Sequence, residues 1–310
     1  MKKMNLVGLM MLLLGGLFLS GCGVDSTDSK DGSKIKVVTT IGQIADATRY
    51  IGGEFVSVES LMGPGVDPHL YKATQSDIGK LQNAEIIFYN GLHLEGKMLE
   101  IFEKMNETKP TIAIADNISD EALRSDVVDV SITDPHIWFD IDLWTTALEE
   151  VTRGLSELDP ENKEYYEKNA EEYFAQLSEL KQYAKEQIAT IPVEQRVLVT
   201  AHDAFNYFGA AYDMEVKGLQ GLSTDSEYGL GDVQSLVEIL VARQINAVFV
   251  ESSISEKSIN AVIEGAKDKG HNVVIGGELF SDAMGAEGTK EGTYIGMYRH
   301  NVDTIVNALK

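Results

Sequence analysis

Short β-branched apolar runs alternate with segments of helical periodicity from residue 35 onwards. In the first half these runs predict three strands, at Ile35–Thr40, Phe55–Leu61 and Glu85–Tyr89. A helix is predicted between the first two, since one face carries Ile44, Thr48 and Ile51, and a shorter one around Ile78 and Leu81. Strands separated by helices pair in parallel through right-handed crossovers, so this half predicts an α/β lobe.

The same alternation returns after residue 190. Three short apolar runs predict fully buried strands, at Val197–Thr200, Ala247–Val250 and Val273–Ile275. Helical periodicity marks three further segments, near Val233–Arg243, Lys257–Lys269 and Gly296–Leu309. This repetition favours a second α/β lobe over one long sheet.

The strongest helical pattern lies between these regions. Asp159 can cap it, Pro160 suits its first turn, and neither Pro nor Gly follows until Pro192. One face carries Tyr166, Ala170, Tyr173, Leu177, Leu180, Ala184 and Ile188. About thirty residues rising about 1.5 Å each make a rod of about 45 Å, which would restrict hinge opening between two lobes. A coiled-coil arm is the alternative, but the aromatic residues favour packing against the body.

These patterns predict an α/β protein with two lobes, each a mostly parallel sheet flanked by helices, joined by one long rigid helix. The predicted boundaries are 35–157 for the N-terminal lobe, 158–190 for the linking helix and 191–310 for the C-terminal lobe. Residues 23–34 are polar and lack apolar anchors, so 22–34 is predicted to be a flexible tether.

The beginning of the chain predicts export. Lys2 and Lys3 precede an apolar stretch that is too short to span a bilayer comfortably but fits a signal peptide. The stretch closes on Leu-Ser-Gly-Cys, so residues 1–21 resemble a lipoprotein signal and Cys22 would be the lipidated first residue of the mature chain. The alternative is an ordinary signal peptide with an incidental cysteine. We expect the protein to be anchored on the extracytoplasmic face of the cell membrane.

Composition excludes some classes of function. The 310 residues include 26 Lys+Arg against 49 Asp+Glu, a formal net charge of −23 at pH 7. Nucleic-acid binding rests on clustered Lys and Arg, so this balance argues against a nucleic-acid partner, whereas an acidic surface attracts cations. Cys22 is the only cysteine, so the exported domain has neither a disulfide nor a thiolate metal site.

Two of the six histidines occupy the same tripeptide, Asp-Pro-His, at residues 67–69 and 134–136. Proline restricts its own φ and the residue before it, so the tripeptide presents the imidazole from a stiff, extended turn. A metal site needs such stiffness, because its ligands must already stand at coordination distance. From the tripeptides alone, two surface turns that happen to contain His69 and His136 are an equal alternative.

Further candidates follow the strands predicted in the second half. His202, Glu251 and Asp282 come after the first, second and third of them. Parallel α/β sheets place ligand sites at this edge, so groups from both halves could converge in the cleft between the lobes. Imidazoles with a carboxylate suit Zn, Mn, Fe or Ni, whereas Ca and Mg prefer shells of oxygen.

The remaining histidines are weaker candidates. His93 suits a structural role, His271 is expected in a solvated turn, and His300 lies inside the last predicted helix. The aromatic residues that follow His136 are expected to form core or a dry wall behind the site, and they are Trp138, Phe139 and Trp144. The chain has no His-Glu-x-x-His pair, no Gly-x-Ser-x-Gly elbow and no phosphate-cradling Gly-Lys-Ser/Thr loop.

Several separated motifs occur in a recognisable order, and they are Gly65–Tyr71, Gly91–Glu95, Asp134–Trp138, Ala201–Phe205, Val250–Ser253 and Phe280–Gly285. With them, essentially the whole mature chain resembles the metal-binding substrate-binding proteins of bacterial ABC importers, the zinc/manganese group that includes TroA-type and manganese-binding lipoproteins. The resemblance implies two α/β lobes bridged by one long helix, with a metal between them. It also implies capture of a divalent metal outside the cell and delivery to a membrane permease.

Carried over residue by residue, the resemblance implies four metal ligands, His69 and His136 from the first lobe and His202 and Asp282 from the second. Glu251 would stand behind these ligands or serve as an alternative ligand. The transported ion is expected to be Mn²⁺, with Zn²⁺ a close second. Dedicated manganese relatives often carry a carboxylate where this chain has His202, and the His-rich loop of dedicated zinc relatives is missing between Lys104 and Pro135.

The resemblance implies no enzyme activity, an ABC permease as partner and membrane attachment through lipidated Cys22. We expect a monomer, since a tethered capture protein has no need to associate. Two other functions remain alternatives. An exported metal-dependent hydrolase would need an open coordination position for water and a general base, for which Glu251 is the candidate. A surface adhesin would bind host molecules, and nothing in the composition favours it.

Overall fold

The computed structural model describes residues 34–126 and 129–310. The predicted signal peptide at 1–21, Cys22 and the predicted tether as far as residue 33 lie outside the described residues. Within the described ranges, no helix combines the length and the apolar composition that crossing a membrane requires.

The N-terminal half contains a four-stranded parallel sheet with the strand order β2-β1-β3-β4. Its elements are β1 (Ile35–Thr39), α1 (Gly42–Gly52), β2 (Val56–Ser60), α2 (Gln75–Asn83), β3 (Ile86–Tyr89), α3 (Leu99–Asn106) and β4 (Thr111–Ala113). The three predicted strands and both predicted helices are present. The sequence patterns did not predict α3 and β4. The three residues of β4 are too few to show a strand period.

Two helices follow where one was predicted, α4 (Ile141–Leu158) and α5 (Lys163–Ile188). The long helix begins as predicted, because Asp159 precedes its first turn, Pro160 lies in that turn, and the 3₁₀ turn Pro160–Asn162 runs directly into α5. The 26 residues of α5 span about 39 Å. Its buried stripe consists of the seven residues predicted from the sequence, and it packs against α1, α4 and the last helix of the chain, α9 (Tyr294–Leu309).

The C-terminal half contains two parallel strand pairs, β5 with β6 and β7 with β8, and β5 lies beside β7. Before α9, the strands and helices of this half are β5 (Val197–His202), α6 (Asn206–Tyr212), β6 (Glu215–Gln220), α7 (Leu230–Arg243), β7 (Ala247–Glu251), α8 (Lys257–Asp268) and β8 (Val274–Leu279). The prediction of a fully buried last strand was wrong. Val274 and Ile275 are 53% and 42% exposed, because β8 is the outer strand of its pair.

One hydrophobic core runs through both halves, and a smaller one fills the space between β5, β7, α7 and α8. Aromatic side chains join the halves at the centre of the larger core. The rings of Phe139 and Phe205 lie 4.4 Å apart, and Trp144 stacks on Tyr294 at 5.4 Å. The Tyr294 hydroxyl donates to the Trp138 carbonyl at 2.7 Å. This core therefore fixes the turn that follows His136 against α9.

Burial of the α5 stripe should account for much of the stability of the long helix. We expect Leu180→Ala to lower the free energy of unfolding by about 2–5 kcal/mol, because Leu180 is fully buried and its truncation leaves a cavity. The neighbouring Glu179→Ala is the matched control, since Glu179 is exposed, and should change it by less than about 0.5 kcal/mol. Urea unfolding followed by circular dichroism would measure both, and equal effects would contradict the packing of α5.

Candidate metal centre

The carboxyl ends of the parallel strands bring the candidate residues to one place. His69 lies in the connection from β2 to α2, and His202 is the last residue of β5. Asp282 follows β8, whereas His136 precedes a 3₁₀ turn at Ile137–Phe139 that leads into α4. All four side chains are buried, with at most 4% exposure.

Both Asp-Pro-His tripeptides fold in the same way. The Asp67 carboxylate accepts a hydrogen bond from the His69 backbone N–H at 2.9 Å, and Asp134 accepts one from the His136 backbone N–H at 3.0 Å. An aspartate that bonds the backbone two residues on forms an Asx turn, which proline between them stiffens. The stiff turn predicted from the tripeptide is present at both sites.

One ligand atom from each of His69, His136, His202 and Asp282 lies within 4.8 Å of all the others. Both oxygens of Asp282 face the imidazoles. Its Oδ1 is 3.3 Å from Nε2 of His136, and its Oδ2 is 3.3 Å from Nε2 of His202 and 3.8 Å from Nε2 of His69. Three nitrogens and two oxygens therefore surround a common centre.

These atoms are not satisfied by ordinary hydrogen bonds. Among the described residues, Nε2 of all three imidazoles and both Asp282 oxygens are buried without a partner in hydrogen-bond geometry. Buried polar atoms without partners are costly and rare in folded proteins. Five of them aimed at one point fit a transition metal, for which imidazole and carboxylate are suitable ligands.

Carboxylates behind two of the rings fix their orientation. Nδ1 of His136 lies 2.7 Å from Asp134 Oδ1, and Nδ1 of His202 lies 2.5 Å from Glu251 Oε2. The second Glu251 oxygen accepts the backbone N–H of His202 at 2.8 Å. A carboxylate on Nδ1 leaves Nε2 free to ligate and increases the basicity of the ring. Glu251 is therefore not part of the four-residue cluster but holds His202 within it.

Burial and nearby carboxylates shift the pKa values of the three imidazoles in different directions. Burial alone would lower the pKa of His136, but the charge and hydrogen bond of Asp134 on Nδ1 and the nearby Asp282 carboxylate raise it to about 9. Burial opposes protonation of His202 too, yet Glu251 and Asp282 raise its pKa well above the usual range. His69 lacks such a partner, and burial lowers its pKa to about 3. The surrounding charges thus favour the protonated form of His136 and His202, whereas burial favours the neutral form of His69.

The pKa of Asp282 fits the same arrangement. Burial would raise it, but the neighbouring imidazoles of His202 and His136, with a contribution from His69, hold this pKa well below its usual range. The carboxylate is thus ionised and available to a cation.

A second buried carboxylate supports the His136 loop from a distance. Glu95 accepts hydrogen bonds from the Thr40 hydroxyl at 2.6 Å and from the Asn90 backbone N–H at 2.8 Å. Asn90 in turn donates its side-chain amide to the Pro135 carbonyl at 3.0 Å. The sequence motif contained Glu95, but its role was missed, because sequence does not show which carboxylate will be buried.

The other histidines lie outside the cluster. His93 is exposed and has a left-handed backbone, with φ of 63°. His300 lies in α9 with Nε2 3.0 Å from the Glu278 carbonyl. The prediction for His271 was wrong, because this side chain is buried and its Nε2 lies 2.7 Å from the Ile245 carbonyl. Trp138 does form a wall of the site, with its ring 5.3 Å from that of His136.

Comparison with known proteins gives full-length relatives. The chain is 55% identical over 304 residues to the manganese-binding lipoprotein MntA of Bacillus subtilis, covering 98% of this chain and 99% of the relative. It is 47% identical over 284 residues to the zinc-binding protein TroA of Treponema pallidum, covering 92% of each.

Solved structures show the same fold. The periplasmic zinc-binding protein TroA from Treponema pallidum superposes with a TM-score of 0.87 at 48% identity, covering 89% of this chain and 99% of that one. A Mn-bound periplasmic metal-binding protein from Candidatus Liberibacter asiaticus matches with a TM-score of 0.79 at 26% identity, covering 89% of this chain and 100% of that one. These matches agree with two lobes of parallel sheets and helices joined by a long helix.

The family model described as ZnuA, zinc-uptake complex component A, periplasmic, matches residues 37–308. That match covers nearly all the described residues, including the four of the cluster. The chain therefore belongs to the ZnuA family.

Proposed function

We propose that this protein captures a divalent transition metal outside the cytoplasm and delivers it to the permease of an ABC importer. His69, His136, His202 and Asp282 are the proposed ligands, and the ion is cargo rather than a resident cofactor. The observation that carries the proposal is the convergence of five buried polar atoms without hydrogen-bond partners. Family membership and the names of the relatives support the same function.

Manganese is the proposed cargo, with zinc a close second. Affinity for divalent metals generally rises from Mn²⁺ to Zn²⁺, so three imidazoles alone would favour zinc. Two facing oxygens of Asp282 add up to five ligand atoms, which exceeds the four of the usual tetrahedral zinc site. The relative named for manganese is more similar to this chain than the relative named for zinc.

A binding role fits the site better than hydrolysis. A metal hydrolase needs a water on the metal and a general base beside it. Glu251, the candidate base, is 2% exposed and directs both oxygens to His202. We therefore propose that the protein is not an enzyme and that Asp134 and Glu251 act only to orient the ligating rings. No feature of the described residues favours an adhesin.

We further propose that lipidated Cys22 anchors the chain to the extracytoplasmic face of the cell membrane and that 22–34 forms its tether. Residues 35–157 and 191–310 would act as the two lobes around 158–190, and the protein would work as a monomer. The lipoprotein names of relatives support the anchor.

Metal content tests the ligand set. Protein purified without chelator should carry about one Mn or Zn ion per chain by elemental analysis, as a single mononuclear site requires. Asp282→Ala should lose most of this metal, because it removes two of five ligand atoms and leaves the imidazole charges unopposed. His93→Asn is the matched control, since it removes an exposed imidazole and asparagine tolerates the same left-handed backbone.

The control should keep the metal content of the wild type. Competition between equimolar Mn²⁺ and Zn²⁺ in the same assay would rank the two ions. Undiminished metal in Asp282→Ala would remove this residue from the ligand set, and a wild type that takes up neither ion would end the proposal.

Metal binding should depend on pH in a window set by the raised imidazole pKa values. Because only neutral imidazoles ligate and the pKa values of His136 and His202 are raised, binding of an ion at neutral pH should release protons. Affinity should therefore keep rising with pH up to at least about 9. Calorimetric titrations in buffers of different ionisation enthalpy would count the protons, and an affinity that levels off near pH 6.5, the ordinary histidine pKa, would contradict the pKa shifts.

Metal-free protein should show the opposite trend in stability. His136 binds its proton more tightly when folded, so its contribution is complete below its ordinary pKa of 6.5 and disappears as the pH rises through about 9. Unfolding of the metal-free protein over this range is the internal check on the titrations.

Anchoring should depend on one thiol. Wild-type protein in its own cell should fractionate with membranes and incorporate a labelled fatty acid, whereas Cys22→Ser should do neither. Cys22 is the only cysteine, so no other thiol can replace it. Membrane retention of unlabelled Cys22→Ser protein would contradict lipidation and leave the metal proposal intact.

A further inference from the structure

The Asp282 carboxylate lacks the support that two of the imidazoles have. His136 and His202 each have a carboxylate on Nδ1. Within the described residues, the contacts found for the Asp282 oxygens are the three imidazole nitrogens, at 3.3, 3.3 and 3.8 Å. Ligating carboxylates are normally held by hydrogen bonds of their own. The placement of this one must come from the backbone that carries it.

That backbone is held at three consecutive carbonyl groups, each by a buried side chain. Asn301 Nδ2 donates to the carbonyl of residue 280 at 2.7 Å, and Trp138 Nε1 donates to that of residue 281 at 3.0 Å. Gln43 Nε2 donates to the carbonyl of Asp282 itself at 3.2 Å. The three donors are at most 1% exposed.

Two of these donors come from the opposite half of the chain. Gln43 lies on α1, and Trp138 lies in the 3₁₀ turn directly after His136. The loop that supplies a ligand from the C-terminal half is thus fixed by the N-terminal half, which supplies His69 and His136. Of the three donors, Gln43 bonds the residue that carries the carboxylate.

We propose that Gln43 is a positioning residue that keeps both Asp282 oxygens facing the imidazoles and thereby slows the departure of the ion. The inference rests on the proposed metal binding by Asp282. Loss of the Gln43 amide would leave the buried Asp282 carbonyl without this donor, which is unfavourable. The loop can relieve that cost by turning, and turning moves the carboxylate away from the centre.

Gln43→Met tests this role, because the methionine side chain has a similar length and no N–H donor. Loaded with Zn²⁺ or Mn²⁺ alone and chased with excess chelator, the variant should lose metal about tenfold faster than the wild type, as expected for loss of a residue that supports a ligand. Loaded with Co²⁺, its visible absorption spectrum should change, since the bands report the number and geometry of ligand atoms.

Thr48→Val is the matched control. Thr48 lies on the same helix, is fully buried, and its hydroxyl is without a hydrogen-bond partner among the described residues. The substitution removes a buried polar group from α1 but no donor to the Asp282 loop. Its metal dissociation rate and Co²⁺ spectrum should match those of the wild type. If Thr48→Val loses metal as fast as Gln43→Met does, the effect of Gln43→Met comes from general loosening of α1, and the proposal is overturned.

A wild-type dissociation rate in folded Gln43→Met would also overturn it. If circular dichroism shows that this variant does not fold, Gln43→Leu replaces it, because leucine also lacks a side-chain donor to the Asp282 carbonyl. Faster metal loss in that variant supports the positioning of the loop, and an unchanged rate refutes it. Failure of the proposed function would look different, since the wild type would then take up neither ion or Asp282→Ala would retain it.

Discussion

A carboxylate buried among three imidazoles is the interaction that the rest of this structure serves. An unpaired charge in such a place costs several kcal/mol, so Asp282 is tolerable only with positive charge beside it. The raised pKa values of His136 and His202 favour their charged forms beside this carboxylate. A divalent ion bound to the proposed ligands would supply the same positive charge and also give the unpartnered ligand atoms a partner.

The fold fixes the positions of the side chains in this cluster. His202 and Glu251 lie at the carboxyl ends of the adjacent strands β5 and β7. Strand β6 lies so close to the residue after β5 that a Cβ on Gly218 would lie 2.5 Å from the Asp203 backbone nitrogen. On the other side, Glu95 holds the His136 loop through Asn90. His202 and His136 are therefore held by groups that lie outside the four-residue cluster.

Much of the architecture could be predicted from the sequence, because strand and helix periods and the repeated Asp-Pro-His are local signals. The α5 stripe and the candidate ligands are examples, although the ligand set itself rested on family resemblance. What failed depends on tertiary contacts. Val274 is exposed because its strand lies at the edge of a sheet. His271 is buried with its ring nitrogen beside the Ile245 carbonyl, which is distant in sequence. Gln43 was invisible because a glutamine on a helix has no pattern that distinguishes it.

The aromatic core across the two halves has a thermodynamic consequence. Phe139, Phe205, Trp144 and Tyr294 are fully buried in contacts that neither half can complete alone. Melting one half would expose the aromatic surface of the other, so the stability of each half depends on the other. Any ion held at their boundary then stabilises the entire folded chain by mass action. The free energy of unfolding and the free energy of ion binding are therefore linked.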